Sequence, residues 1–287
     1  MSPRPAPGIP ASVPATASCA ASSRDRVPGG SWRPILGYQL RVYRRIWRGS
    51  LVGRVVTPVL TLVALGFGLG TLVDRAGGGV PWGGVVLAYL PFVVPGMVAG
   101  NAMLVAFGDS SWPVLGAIRW QGTYHAMLAT PATPRDILRA HGAFLAMQLT
   151  VSSSVFLAVA AAFGGVGSWW AVAAVPVVVL CGLGFAGAMM ALAAWTETET
   201  AFTLAYRLGM TPLMLFSGTF FPVDQLPRGL APLAWMTPLW HGVEPARALC
   251  TGVIDGWSVA GHVTALAAFA MAGAWLADRS LRRRLVV

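Results

Sequence analysis

Residues 169–194 read Trp-Trp-Ala-Val-Ala-Ala-Val-Pro-Val-Val-Val-Leu-Cys-Gly-Leu-Gly-Phe-Ala-Gly-Ala-Met-Met-Ala-Leu-Ala-Ala. The run carries no charge and exceeds the roughly 20 apolar residues that a helix needs to cross a bilayer core. Comparable runs lie at about 51–73, 85–107, 141–164, 200–220 and 257–277. Breaks rich in Gly and Pro separate them, as at 76–81 and 164–168. The fifth run is the least regular, because it contains Arg207 and Pro212. Composition agrees: of 287 residues 56% are hydrophobic and 10% charged, against about 25% charged in an ordinary soluble domain. Too few charges remain to clothe a water-facing surface, so the outer surface faces lipid. The expected fold is all-α, a polytopic membrane protein with about six transmembrane helices.

The charge pattern orients those helices. All 20 cations are arginine, and the formal net charge is +10. With both termini on the cytosolic side, 17 arginines fall inside and three, Arg75, Arg228 and Arg247, fall outside. That is the positive-inside bias of a bacterial cytoplasmic membrane protein. The arginines flank apolar runs rather than cover a soluble face, which argues against nucleic-acid binding. Residues 1–30 are rich in Pro, Ala and Ser, lack an apolar signal core, and read as a disordered cytosolic tail.

Three segments between or beside the spans carry pattern. In 32–48, Leu36, Leu40, Tyr43 and Trp47 recur at helical spacing, with Arg41, Arg44, Arg45 and Arg48 on an adjacent face. This fits an amphipathic helix on the inner membrane surface, or a basic flank that anchors the first span. The loop 108–140 places an apolar piece (Ile118, Trp120, Tyr124, Met127, Leu128) before a turn at 130–134, where Thr133 is set to cap a helix that starts at Pro134. It fits either a docking element for a partner or a plain connector. The stretch 217–250 is apolar, yet Pro222, Pro227, Pro232, Pro238 and Pro245 forbid one continuous helix. A re-entrant hairpin on the outer side or an external amphipathic loop both satisfy it. Within it, His241, Glu244 and Arg247 at i, i+3 and i+6 form a polar cluster suited to structural hydrogen bonding.

Chemistry is sparse. Cys19, Cys181 and Cys250 form no CxxC pair, so neither zinc nor redox chemistry is indicated. Ser152, Ser153 and Ser154 have no acid–base partner nearby in sequence, and Glu197 and Glu199 sit between spans as solvated or capping groups. The spans show almost no ionisable residues, which weighs against a proton-coupled carrier or an intramembrane enzyme. With no Lys in the chain, a phosphate-binding loop of the G-x-x-x-x-G-K-[ST] type is impossible. Any ATP-driven transport therefore needs the nucleotide on another polypeptide, and this chain is expected to hold no cofactor and no metal.

Two blocks carry a family resemblance. Ser217-Gly218-Thr219-Phe220-Phe221-Pro222-Val223-Asp224-Gln225-Leu226-Pro227 with Thr237-Pro238-Leu239-Trp240-His241-Gly242-Val243-Glu244 and Arg247 is one. Trp120-Gln121-Gly122-Thr123-Tyr124-His125-Ala126-Met127-Leu128-Ala129-Thr130-Pro131 with Asp136-Ile137-Leu138 is the other. Together they resemble the permease subunits of ABC type-2 exporters, most of all the nodulation-type lipo-oligosaccharide exporters and related drug-resistance permeases. The resemblance implies one transmembrane domain over 31–287 with an interfacial helix at 32–48. It further implies a cytosolic coupling loop at 108–140, with Trp120, Gln121, Gly122, Thr123, Tyr124, Met127 and Leu128 at the partner interface. A re-entrant extracytoplasmic region at 221–250 would precede the last span. Gly218, Phe221, Pro222, Val223, Asp224, Leu226, Pro227, Pro238, His241, Glu244 and Arg247 would be its signature. Two permeases, identical or related, would pair in the membrane lipid. Each would dock a cytosolic ABC ATPase that binds ATP and Mg. The substrate would be amphipathic or lipid-linked, and its path would show no obvious polar pocket. His125 departs from the acidic residue frequent in the family at its position.

Overall fold

The computed structural model describes residues 32–227 and 229–286; the expected tail at 1–30 and Arg228 lie outside them. Residues Trp32–Leu62 form α1, which runs through a π-helical stretch, Val63–Gly70, into α2 (Thr71–Gly77). An interfacial helix separate from the first span was the expectation; instead the two are one uninterrupted helical run. Both halves obey the same 3.6-residue period, and Gly49 between them weakens a helix without stopping it. The wider π ladder falls where Gly66, Gly68 and Gly70 recur and side-chain crowding is least.

A small antiparallel hairpin, β1 (Val80–Trp82) and β2 (Val85–Leu87), follows. It takes the residues expected to begin the second span, which starts at Tyr89 as α3 (Tyr89–Ser110). The expected cytosolic connection forms two short helices, α4 (Trp112–Arg119) and α5 (Thr123–Leu128), broken where Gly122 takes φ +61°. The next helix, α6 (Pro134–Ala162), opens on a complete capping box. Thr133 accepts from the Asp136 N–H while the Asp136 carboxylate accepts from the Thr133 N–H, and Pro134 fills the first turn. The uncharged run of the sequence becomes α7 (Ala171–Trp195).

The fifth expected span is shorter than the rest. It comprises α8 (Thr200–Ala205), a π turn at Tyr206–Met210 and α9 (Thr211–Phe216), together 17 residues. Pro212 has no N–H to continue the ladder, and the ladder widens just ahead of it: the Thr211 N–H and hydroxyl both donate to the Tyr206 carbonyl. A 3-10 turn (Val223–Gln225), α10 (Ala231–Trp235), α11 (Pro238–Thr251) and α12 (Gly256–Leu285) complete the chain. Among the described residues, five helical segments are long and apolar enough to cross a membrane: Val59–Gly77, Tyr89–Arg119, Pro134–Ala162, Ala171–Trp195 and Gly256–Leu285. The molecule is an all-α polytopic membrane protein.

The segments alternate in direction, so α1, α4, α5, the start of α6 and the end of α12 share an arginine-rich end, and the hairpin and α11 share the opposite one. Both α3 and α7 are central and mostly buried, with α12 packed along α7 and α1 along α6. The α7–α12 approach is backbone on backbone: a Cβ at Gly187 would stand 2.5 Å from the Gly273 carbonyl carbon. Only glycine permits helices that close.

Candidate functional site

Helix α11 has half the length of a span and lies among α3, α7 and α12. Thr237 caps it and Pro238 fills its first turn. It begins with Gly242 against Cys181, in the middle of α7, and ends where the Cys250 carbonyl accepts from the Gly167 N–H in the α6–α7 turn. The half-helix therefore rises from the middle of the bundle to the end away from the arginines.

Its anchor is Arg247, the largest fully buried side chain. The guanidinium donates to the Phe92 carbonyl at 3.1 Å, to the Gly218 carbonyl at 2.6 Å and to the Glu244 carboxylate at 2.6 Å. Its carbon lies 4.0 Å from the Phe92 ring centre. The other Glu244 oxygen accepts from Trp82 Nε1 at 2.9 Å. One cation thus joins α3, the hairpin, α11 and the turn after α9. Burying a charge on this scale requires such complete pairing, and the planar five-donor fork supplies it. Gly218 takes φ +76°, which turns its carbonyl toward the guanidinium.

The sequence placed His241 with Glu244 and Arg247. The structure joins the last two and sends His241 elsewhere: its Nδ1 lies 2.8 Å from Nδ1 of His262 on α12. Contact between those two atoms needs one ring to donate and the other to accept, so the pair holds one proton between them there. Of the remaining signature residues, Pro222 and Val223 are buried, Phe221 and Leu226 half-buried, and Asp224 and Pro227 exposed. Sequence reasoning missed Trp82, Phe92 and His262, whose partners lie far away along the chain.

The arginine-rich end holds a second cluster. A cavity of about 320 Å³ lies between α1, α4, α5 and α6, and Gln39, Asp109, His141 and Gln148 are among its lining residues. Gln148 donates to Asp109 at 3.4 Å, and Ser110 meets His141 at 3.1 Å. Further up α6, Ser152 accepts from Asn101 at 3.3 Å. Asp109 and Ser110 lie at the end of α3 and His141, Gln148 and Ser152 along α6, so the packing of α3 on α6 brings the two sets together.

Over this cavity sit the expected partner-interface residues. Val114, Leu115, Ile118 and Tyr124 point inward, and burial pushes the Tyr124 phenol above its ordinary range. Trp120 is 62% exposed, and Gln121, His125, Ala126 and Ala129 are exposed with it. Met127 and Leu128 are half-buried, as are Gly122 and Thr123. The Arg119 guanidinium donates to the Glu197 carbonyl, and the Glu197 carboxylate pairs with Arg284 at 3.3 Å, which ties this ledge to the α7–α8 turn and α12. On α1, Arg41, Arg44 and Arg45 are exposed; the Arg48 side chain lies outside the described residues.

The family model for the ABC-2 type transporter matches residues 33–250. The chain belongs to the ABC-2 type transporter family. Among its relatives is Nodulation protein J of Rhizobium leguminosarum bv. trifolii, 33% identical over 264 residues that cover 91% of this chain and 97% of that protein. Nodulation protein J of Sinorhizobium fredii is 31% identical over 259 residues, 89% of this chain and 94% of that one. The inner membrane transport permease YadH of Escherichia coli K12 is 23% identical over 230 residues, 78% and 84% of the two chains. This ABC-2 chain is accordingly a transport permease and a multi-pass membrane protein. The matched region contains the ledge and the whole Arg247 network but stops short of His262 and α12.

Proposed function

We propose that this permease is the membrane-spanning half of an ATP-driven exporter, in which a separate cytosolic ATPase subunit docks on the α4–α5 ledge. The observation that carries this reading is the ledge itself. Its apolar side is buried against the bundle, its outer side offers an exposed Trp120 beside polar neighbours, and exposed aromatics of that kind anchor protein contacts. The arginine-rich end faces the cytosol in this reading, in keeping with the charge bias along the chain. ATP and Mg reside on the partner. Two permeases, alike or related, enclose the path in the cytoplasmic membrane. The substrate is amphipathic or lipid-linked, such as a lipo-oligosaccharide, a polysaccharide precursor or a drug. The spans offer mostly apolar walls for it, and two of the relatives bear the nodulation name.

Extraction from native membranes with gentle detergent tests the partner. A stoichiometric ATPase is expected to accompany the wild-type chain and to be lost on replacing Trp120 with Ala together with Gln121 with Ala. A chain that purifies alone from native membranes that contain an ABC ATPase would overturn the docking reading. Reconstituted vesicles test the substrate class: transport of a fully hydrophilic sugar with none of a lipid-linked compound would sink it.

A further inference from the structure

We infer that the seam between α6, α7 and α12 is a binding site for an anionic phospholipid of the leaflet at the arginine-rich end. The largest described cavity, about 600 Å³, runs along this seam. Leu183, Ala186 and Gly187 of α7 make its floor, Gly142 of α6 one wall, and Ala270 and Ala274 of α12 the other. Small side chains hollow it. At Gly142 an added Cβ would meet nothing within 4 Å, so open space begins at the backbone.

Length and charge together select the occupant. The lining residues of α12 run from Ala267 to Asp278. At about 1.5 Å per residue that is roughly 16 Å, the depth of one leaflet of a core about 30 Å thick. The seam is apolar until its end, where Arg135, Arg139, His141 and Asp278 line it. Asp278 is already shared: Arg135 reaches one of its oxygens at 3.2 Å and Arg282 the other at 2.9 Å. Arg139 is exposed and makes no hydrogen bond or ion pair with the described residues. With Arg135 and Arg139 against the single carboxylate of Asp278, the lining leaves a positive mouth on an acyl-sized slot. A zwitterionic lipid brings its own cation to that mouth, whereas an anionic one brings the missing charge. The site stands on the membrane reading alone and is independent of the ATPase and the exported substrate.

The test is native mass spectrometry of the full chain in detergent, titrated with dioleoyl phosphatidylglycerol and with dioleoyl phosphatidylcholine. The wild type is expected to retain phosphatidylglycerol preferentially. Arg139→Gln, at an exposed position without partners, is expected to lower that retention about tenfold, the loss of one charge-assisted contact, and to erase the preference. Gly142→Leu, which fills the slot, is expected to lower retention of both lipids, while Arg283→Gln, outside the slot, changes neither. Unaltered phosphatidylglycerol retention in both Arg139→Gln and Gly142→Leu would show lipid held only around the protein and overturn the site. Displacement of the lipid by millimolar inorganic phosphate would reduce it to a simple anion site and overturn the slot. Lipid-free dimers that Gly142→Leu splits into monomers would assign the seam to a second copy instead.

Discussion

Arg247 serves four segments from one side chain, and its replacement is a direct probe of the outer end. Removing it leaves the half-buried Glu244 carboxylate without its charged partner and takes a buried donor from the Phe92 and Gly218 carbonyls. Loss of one member of a buried pair costs roughly 3–5 kcal/mol. Arg247→Gln is therefore expected to lower the thermal midpoint in detergent sharply, and Arg247→Lys is expected to rescue little of it. A point ammonium cannot reach Phe92, Gly218 and Glu244 at once. A lysine variant as stable as the wild type would show that charge alone holds α11. The sequence made Glu244 and Arg247 visible as a spaced pair, since helical period alone sets them on one face. It gave no sign of Trp82 or Phe92, which reach Glu244 and the guanidinium across more than 150 residues, and it wrongly joined His241 to the group. Period tells which residues share a face, not which helix that face meets.

Among the elements, boundaries set by local chemistry were legible and those set by packing were not. The start of α6 shows in the order Thr133, Pro134, Asp136, because a cap needs a hydroxyl and an acid three residues apart wherever it occurs. Thr133→Ala is expected to cost about 1 kcal/mol, read as a small drop in thermal midpoint. The fusion of α1 into one helix was illegible, because no residue near position 49 forbids continuation. The hairpin at Val80–Leu87 was hidden in a run apolar enough to pass for a span. Gly187 and Gly273 read as ordinary small residues, yet they bring the α7 and α12 backbones into contact. Gly187→Val is expected to force α7 and α12 apart at a cost of about 3 kcal/mol, whereas Gly142→Ala, facing open space in a helix interior, is expected to hold or slightly raise the thermal midpoint. Equal losses from the two would remove the contrast on which the crossing argument rests.

At the scale of the whole molecule, membrane class, helical content and alternating topology all followed from hydropathy, since a bilayer imposes the same length on every span. The convergence of Asp109 with Gln148 and His141 under the ledge did not, because hydropathy does not say that the end of α3 packs on α6. Orientation gives the prediction proper to this scale. A periplasm-dependent reporter inserted at Gly78, in the turn before the hairpin, is expected to be active. The same reporter after Ala129, beside the ledge, is expected to be silent. The opposite pattern would invert the molecule and move the proposed ATPase contact to the wrong side.

The glycine crossing of α7 and α12 also has a mechanical meaning. Backbones in direct contact leave no side-chain layer to shear, so these two helices turn together as one strut. The ledge is tied to that strut near its base through Glu197 and Arg284, and α11 is wedged against its upper half. A push on the ledge therefore travels the length of the strut with little slack.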